Sequence, residues 1–189
     1  MVVDFDKVGN SMPVKSPIKL AHVFIRTCPE TYRTMVDFYK TFLGATATYE
    51  DNFISLITYD DEHHRIAIAA MPDVGPKDGK TSGLEPRGPS HFLPPAKALG
   101  IVPMWCVHHG PTISIYYSDP DGNRLETQVD TLKTLEEATA YMTTKEFLEN
   151  PIGVDFDPED FIQRLQNGVD ATELFPRPNI GPRGFDTLP

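Results

Sequence analysis

The order in which hydrophobic periodicity changes between residues 18 and 70 restricts the possible folds more than any other feature of the chain. Ile18 to Ile25, IKLAHVFI, is an apolar run broken by one histidine and reads as a buried strand. Pro29 and Glu30 suit a first helical turn. Met35, Phe38, Tyr39, Phe42 and Leu43 then recur at helical spacing, and Gly44 is placed to end the helix. Three strand-like segments follow, residues 45–50, 53–59 and 65–70, separated by Asp51-Asn52 and by the acidic turn at residues 60–62. The order is strand, helix, strand, strand, strand.

If the chain contains an internal duplication, the same order begins again after the Pro/Gly-rich connector at residues 71–82. Its end is visible. KALG resembles a helix terminus, and IVPMWCV, TISIYYS and NRLETQV read as three strands joined by HHGP and DPDG turns. Its beginning is not: GLEPRGPSHFLPPAKALG, Gly83 to Gly100, packs four prolines into eighteen residues. A strand of ~5 residues and a three-turn helix of ~11 do not both fit there. Beyond Asp130 come short helices at residues 135–142 and 145–149. A third is announced by Asp157-Pro158-Glu159, with Phe161, Ile162 and Leu165 on one face, and the last twenty residues read as an extended surface tail. The expected fold is α+β, with paired βαβββ modules over residues 17–130: module one at 17–72 and a shortened module two at 83–130. Residues 131–189 form a helical C-terminal extension and tail.

Composition excludes several function classes. Of 189 residues, 17 are basic and 27 acidic, and the net charge of −10 repels phosphate backbones and anionic membrane surfaces, so nucleic acid and membrane are not expected partners. No apolar run approaches the ~20 residues that span a bilayer, and the N-terminus lacks an export signal. Two cysteines, Cys28 and Cys106, are too few for a disulfide framework or a zinc cluster. A cytoplasmic protein with reduced thiols is the expectation.

Individual side chains leave alternatives open. His22 lies in an apolar run, where a neutral imidazole needs a hydrogen-bond partner or a metal. In DEHHRIAIA, His63 and His64 lead a strand, so alternation allows only one to face a cavity on the side of His22; a solvated pair is the other reading. In YYSDPDGNRLE a DPDG turn joins two strands, and Glu126 follows its glycine by four residues, either as a ligand or as an exposed strand residue. His109, beside a Gly-Pro turn, and Tyr116, in a strand, read either as pocket residues or as incidental packing.

Together these segments resemble the vicinal oxygen chelate superfamily, whose members pair βαβββ modules into half-barrels around a divalent metal. DPDGN followed by glutamate marks the superfamily. DEHHRIAIA, WCVHHGPTISIYYSDPDGNRLETQVD and NPIGVDFDPEDFIQRLQNG resemble the single-domain biphenyl-2,3-diol 1,2-dioxygenase-like branch. The resemblance implies an Fe(II) extradiol dioxygenase that cleaves a catechol-like aromatic ring with O2, Mn(II) or another divalent ion being the alternative metal. Such a site suits this chemistry because a facial two-histidine, one-carboxylate set leaves positions open for ring and dioxygen on one iron. It implies His22 and Glu126 as metal ligands, His64 as the acid-base, Tyr116 as a hydrogen-bond partner of the substrate oxygen, and His109 as a pocket residue. It also implies dimerisation as one way a half-barrel completes its packing.

The remaining ligand of the resemblance follows a Gly-Leu-acidic signature. Here Gly83-Leu84-Glu85 is followed by Pro86, and His91 is the nearby histidine that could replace the missing imidazole. Either the second module is truncated or the reading frame joins two exons wrongly at this point. Two further functions remain open: a catalytically silent half-barrel binding protein, and a metal-dependent lyase, isomerase or tailoring enzyme for phenolic metabolites.

Overall fold

A computed structural model describes residues 19–77, 87–89 and 100–187. Two sheets carry the chain. The first comprises β1 (Val23–Thr27), β2 (Thr46–Glu50), β3 (Ile54–Thr58) and β4 (Ile66–Ala70) in the order β1-β4-β3-β2, with β1 parallel to β4 and the other pairs antiparallel. The second repeats that pattern as β5-β8-β7-β6, from β5 (Arg87–Pro89), β6 (Trp105–His108), β7 (Thr112–Ser118) and β8 (Arg124–Asp130). Again the first strand is parallel to the last, and a short β9 (Val154–Asp155) adds to β6. Both sheets thus share one strand order, as a duplicated module requires.

One expectation from the sequence changes here. The opening strand of the second half is not lost: three residues from Arg87 pair with Glu126, Thr127 and Gln128 of β8. Pro89 is tolerated because, among the described residues, β5 is an edge strand with no second neighbour that needs its missing N–H. Residues 78–86 and 90–99, which include Pro86, His91 and most of KALG, lie outside the described residues.

Between β1 and β2 runs α1 (Tyr32–Leu43), ended by Gly44 in the left-handed region at φ 60°, where its N–H meets the carbonyls of Lys40 and Thr41. The helix begins two residues after Glu30, because residues 28–31 form a turn closed by Thr31 N–H on the Cys28 carbonyl. Its buried face, Tyr32, Met35, Val36, Tyr39 and Phe42, packs on Ile57, Ile66 and Ile68 of the first sheet and on Tyr117 and Leu125 of the second. One core therefore joins both sheets.

The DPDG turn reinforces that joint. Asp119 accepts from the backbone N–H of Asp121 and Asn123, from Asn123 Nδ2 and, at 2.9 Å, from the Tyr39 hydroxyl of α1. Thr27 of β1 donates to Asp121 at 2.6 Å. Beyond β8 come α2 (Leu135–Tyr141), α3 (Lys145–Glu149) and, after β9, α4 (Pro158–Gln166), N-capped by Thr134, Thr144 and Asp157 respectively. The last segment differs from the extended surface tail expected. Ala171–Leu174 forms a 3-10 turn, Leu174 is buried, and the Arg177 side chain is only 3% exposed.

Candidate functional site

Strand alternation sorts the second sheet into two faces. Tyr117 and Leu125 enter the core, so their neighbours Tyr116 and Glu126 face the other way. Tyr116 stands directly opposite Glu126 on one side and Trp105 on the other, so Trp105, Tyr116 and Glu126 form one cross-strand row. The Trp105 and Tyr116 rings stack with centroids 5.0 Å apart, and the Trp105 indole N–H is held by Asp155 of β9 at 2.8 Å. Glu126 is buried.

His109, just after β6, completes the group. Its Nδ1 lies 2.6 Å from the Ile152 carbonyl and its Nε2 lies 3.2 Å from the Tyr116 hydroxyl. A carbonyl only accepts, so Nδ1 carries the proton. In the neutral ring Nε2 is then an acceptor, and the Tyr116 O–H donates to it. His109, Tyr116 and Glu126 line one cavity of about 230 Å³, whose opposite wall is supplied by Met142, Phe147 and Pro151 from the C-terminal helices and the turn after α3. The site is half sheet and half extension.

His22, His63 and His64 gather at the first sheet. His22 is exposed and immediately precedes β1 instead of lying within an apolar strand. Its ring packs on His64 at 4.4 Å between centroids, and His63 packs on His64 at the same distance, with the two Nδ1 atoms in contact. Only His64 packs on His22, while His63 is exposed, although both residues precede β4 instead of lying within it. Desolvation, and then the neighbouring His22 and His63 rings, hold His64 below the ordinary histidine range. The cavity lined by His109, Tyr116 and Glu126 has neither His22 nor His64 in its wall.

Three contributors to the Tyr116 side were missed by sequence reasoning. His108 is buried, with Nε2 donating to the Phe175 carbonyl at 2.9 Å and Nδ1 accepting from Gly110 N–H. Arg177 binds the His109 carbonyl at 3.1 Å. Ile152 contributes a main-chain acceptor, which no residue-type pattern announces. The HH dipeptide was a visible signal for His108, whereas Arg177, between Pro176 and Pro178, had none.

Among the described residues no three His, Cys, Asp or Glu side chains come together to hold a metal ion. His22 and Glu126 stand on different sheets, and His91 lies outside the described residues. Among them, too, no helix is long and apolar enough to cross a membrane.

No family model matches the chain. Curated relatives do. The chain is 38% identical over 174 residues to biphenyl-2,3-diol 1,2-dioxygenase 2 of Rhodococcus globerulus, covering 82% of this chain and 86% of that protein. It is 33% identical over 169 residues to biphenyl-2,3-diol 1,2-dioxygenase 3 of the same organism, covering 84% and 88%. Among solved structures, a glyoxalase family protein from Enterococcus faecalis aligns with a TM-score of 0.49 at 16% identity, covering 59% of this chain and 98% of that one. A putative glyoxalase family protein from Bacillus anthracis gives 0.48 at 18% identity, covering 62% and 99%. On the sequence relatives and the repeated β1-β4-β3-β2 strand order, the chain belongs to the vicinal oxygen chelate superfamily, in the branch of the two Rhodococcus biphenyl-2,3-diol 1,2-dioxygenases.

Proposed function

We propose that the protein is a ring-cleaving dioxygenase of the extradiol type, binding a catechol-like aromatic ring in the cavity of His109, Tyr116 and Glu126 and consuming O2. The observation that carries this reading is the 38% identity to a biphenyl-2,3-diol 1,2-dioxygenase over 82% of the chain. The Tyr116–His109 pair supports it chemically. With His109 neutral, Tyr116 donates to Nε2 and its oxygen lone pairs accept a catechol O–H. With His109 protonated, Nε2–H donates to the Tyr116 oxygen and the phenolic proton turns to a catecholate. The pair can thus follow a substrate through the loss of one proton, and the apolar wall of Met142, Phe147 and Pro151 suits the ring.

The same reading assigns His22, Glu126 and His91 as ligands of Fe(II), or of Mn(II) or another divalent ion, and His64 as acid-base. It places the half-barrel pair at residues 17–130 with the extension at 131–189, in a cytoplasmic protein that pairs as a homodimer. A second reading, a silent half-barrel binding protein, is favoured by one sequence observation: Pro86 follows Gly83-Leu84-Glu85, where the family's second histidine ligand is expected. Iron content after anaerobic loading and dialysis separates the two. Near-stoichiometric iron that falls at least ~10-fold in His91→Ala supports the dioxygenase, while iron lost on dialysis from the folded wild type supports the silent protein.

Binding itself is testable without metal. The chain has one tryptophan, Trp105, and it stacks on Tyr116, so a catechol titration is expected to quench its fluorescence with saturation. Tyr116→Phe should weaken that binding by ~5- to 10-fold, the worth of one hydrogen bond. No saturable change in the folded wild type would count against this cavity as the ring site.

A further inference from the structure

The C-terminal segment does more than cover the sheet. Arg177 reaches inward with its side chain 3% exposed and spends all of its N–H donors on main chain and one carboxylate. Nη1 donates to the carbonyls of His109 at 3.1 Å and Asn150 at 2.8 Å. Nη2 donates to the Glu146 carbonyl and carboxylate, and Nε to the same carboxylate. The guanidinium also lies 5.6 Å from the centre of the Tyr141 ring.

Asn150 carries the constraint onward. Its side chain accepts from Gly153 N–H at 2.7 Å and donates to the Gly153 carbonyl at 3.2 Å. Ile152 is therefore held between two fixed points, and its carbonyl is the group that takes the His109 Nδ1 proton. One guanidinium thus fixes both sides of that hydrogen bond: the backbone of the histidine and the loop that presents its acceptor.

We propose that Arg177 is a positioning residue, which locks His109 in the Nδ1–H tautomer and so keeps Nε2 as the acceptor for the Tyr116 hydroxyl. The proposal rests on the reading of Tyr116 and His109 as the ring site for its catalytic meaning, but not for its geometry. A lysine cannot replace the arginine. Its single ammonium cannot span the His109, Asn150 and Glu146 acceptors that the planar fork reaches together.

The test uses the full chain labelled with 15N, and reads the histidine imidazole nitrogens by long-range proton–nitrogen correlation. Signals of His109 are identified by their loss in His109→Gln. The wild type is expected to show His109 as one Nδ1–H tautomer. Arg177→Met and Arg177→Lys are expected to show it averaged between tautomers, with His22, His63 and His64 unmoved as the control for the fold. A wild-type His109 pattern in either folded variant overturns the proposal. Arg177→Lys keeps the charge and the aliphatic stem, and decides alone should Arg177→Met fail to fold. Neither metal nor turnover enters this measurement. A protein that cleaves no catechol but shows the tautomer change loses the dioxygenase reading and keeps this one. In an active protein, Arg177→Lys should lower kcat by ~10-fold with little change in KM, the loss seen when a group orienting a site residue is removed. An unchanged kcat would overturn the link to the reaction.

Discussion

The Tyr117 hydroxyl is buried without a hydrogen-bond partner among the described residues, and burial, then the nearby Cys106, push its pKa up to about 12. Its ring is useful where its oxygen is not, because it packs edge-on against Phe42 in the core that joins the sheets. Tyr117→Phe should therefore leave stability unchanged or raise it; a loss of more than ~1 kcal/mol in denaturant unfolding would show that the hydroxyl is satisfied after all. Asp119, two residues further, behaves in the opposite way. Desolvation raises its pKa against the pull of its hydrogen bonds, yet all four of its contacts are donors aimed at a carboxylate. Asp119→Asn replaces an acceptor with a donor in that cage. It should cost on the order of 1–3 kcal/mol in the same measurement, despite the smaller desolvation penalty.

At the scale of elements, the contact between the β6–β7 turn and β9 controls how His109 is presented. Gly153 sits at φ 108°, and a Cβ there would lie 2.3 Å from the His108 carbonyl, a backbone atom that cannot swing aside. Gly153→Ala should cost ~1–3 kcal/mol for the backbone conformation alone. It should also displace β9 from β6, seen as loss of the Trp105 contact to Asp155 in the fluorescence spectrum. His108, beneath the same turn, links this element to pH. Burial is the largest influence on it and outweighs the Phe175 hydrogen bond, and Arg177 and His109 add to the depression of its pKa. Its folded pKa thus lies below the unfolded value of ~6.5, so the unfolded chain gains a proton first as pH falls. The stability due to neutral His108 is whole above pH ~6.5 and is lost as pH drops below that toward the folded pKa. Melting temperature followed from pH 8 to pH 5 should fall less steeply in His108→Asn than in the wild type. The comparison isolates this residue from His64, whose shift has the same sign.

At the scale of the molecule, what was legible in the sequence was whatever local periodicity writes. The α1 stop at Gly44, the seven residues of β7 and the Lys145–Glu149 helix follow directly from spacing and turn chemistry. Tyr116 and Glu126 could be paired in advance because a DPDG turn sets the register between β7 and β8. The three-residue β5 was not legible, since prolines on either side of Arg87-Gly88 argue locally against a strand and only pairing with β8 provides for it. Arg177 was hidden for the same reason, as its partners are carbonyls 27 and 68 residues away. The exposed His22, and His63 and His64 lying just before β4, show the limit of reading strands through their first residues. Ring cleavage is tested by oxygen uptake of the Fe(II)-loaded protein with a catechol in air. One O2 should be consumed per ring, with a yellow ring-opened product and no added reductant, and Tyr116→Phe should lose at least ~10-fold in rate. No uptake across a panel of catechols, from folded protein that retains its iron, would contradict it.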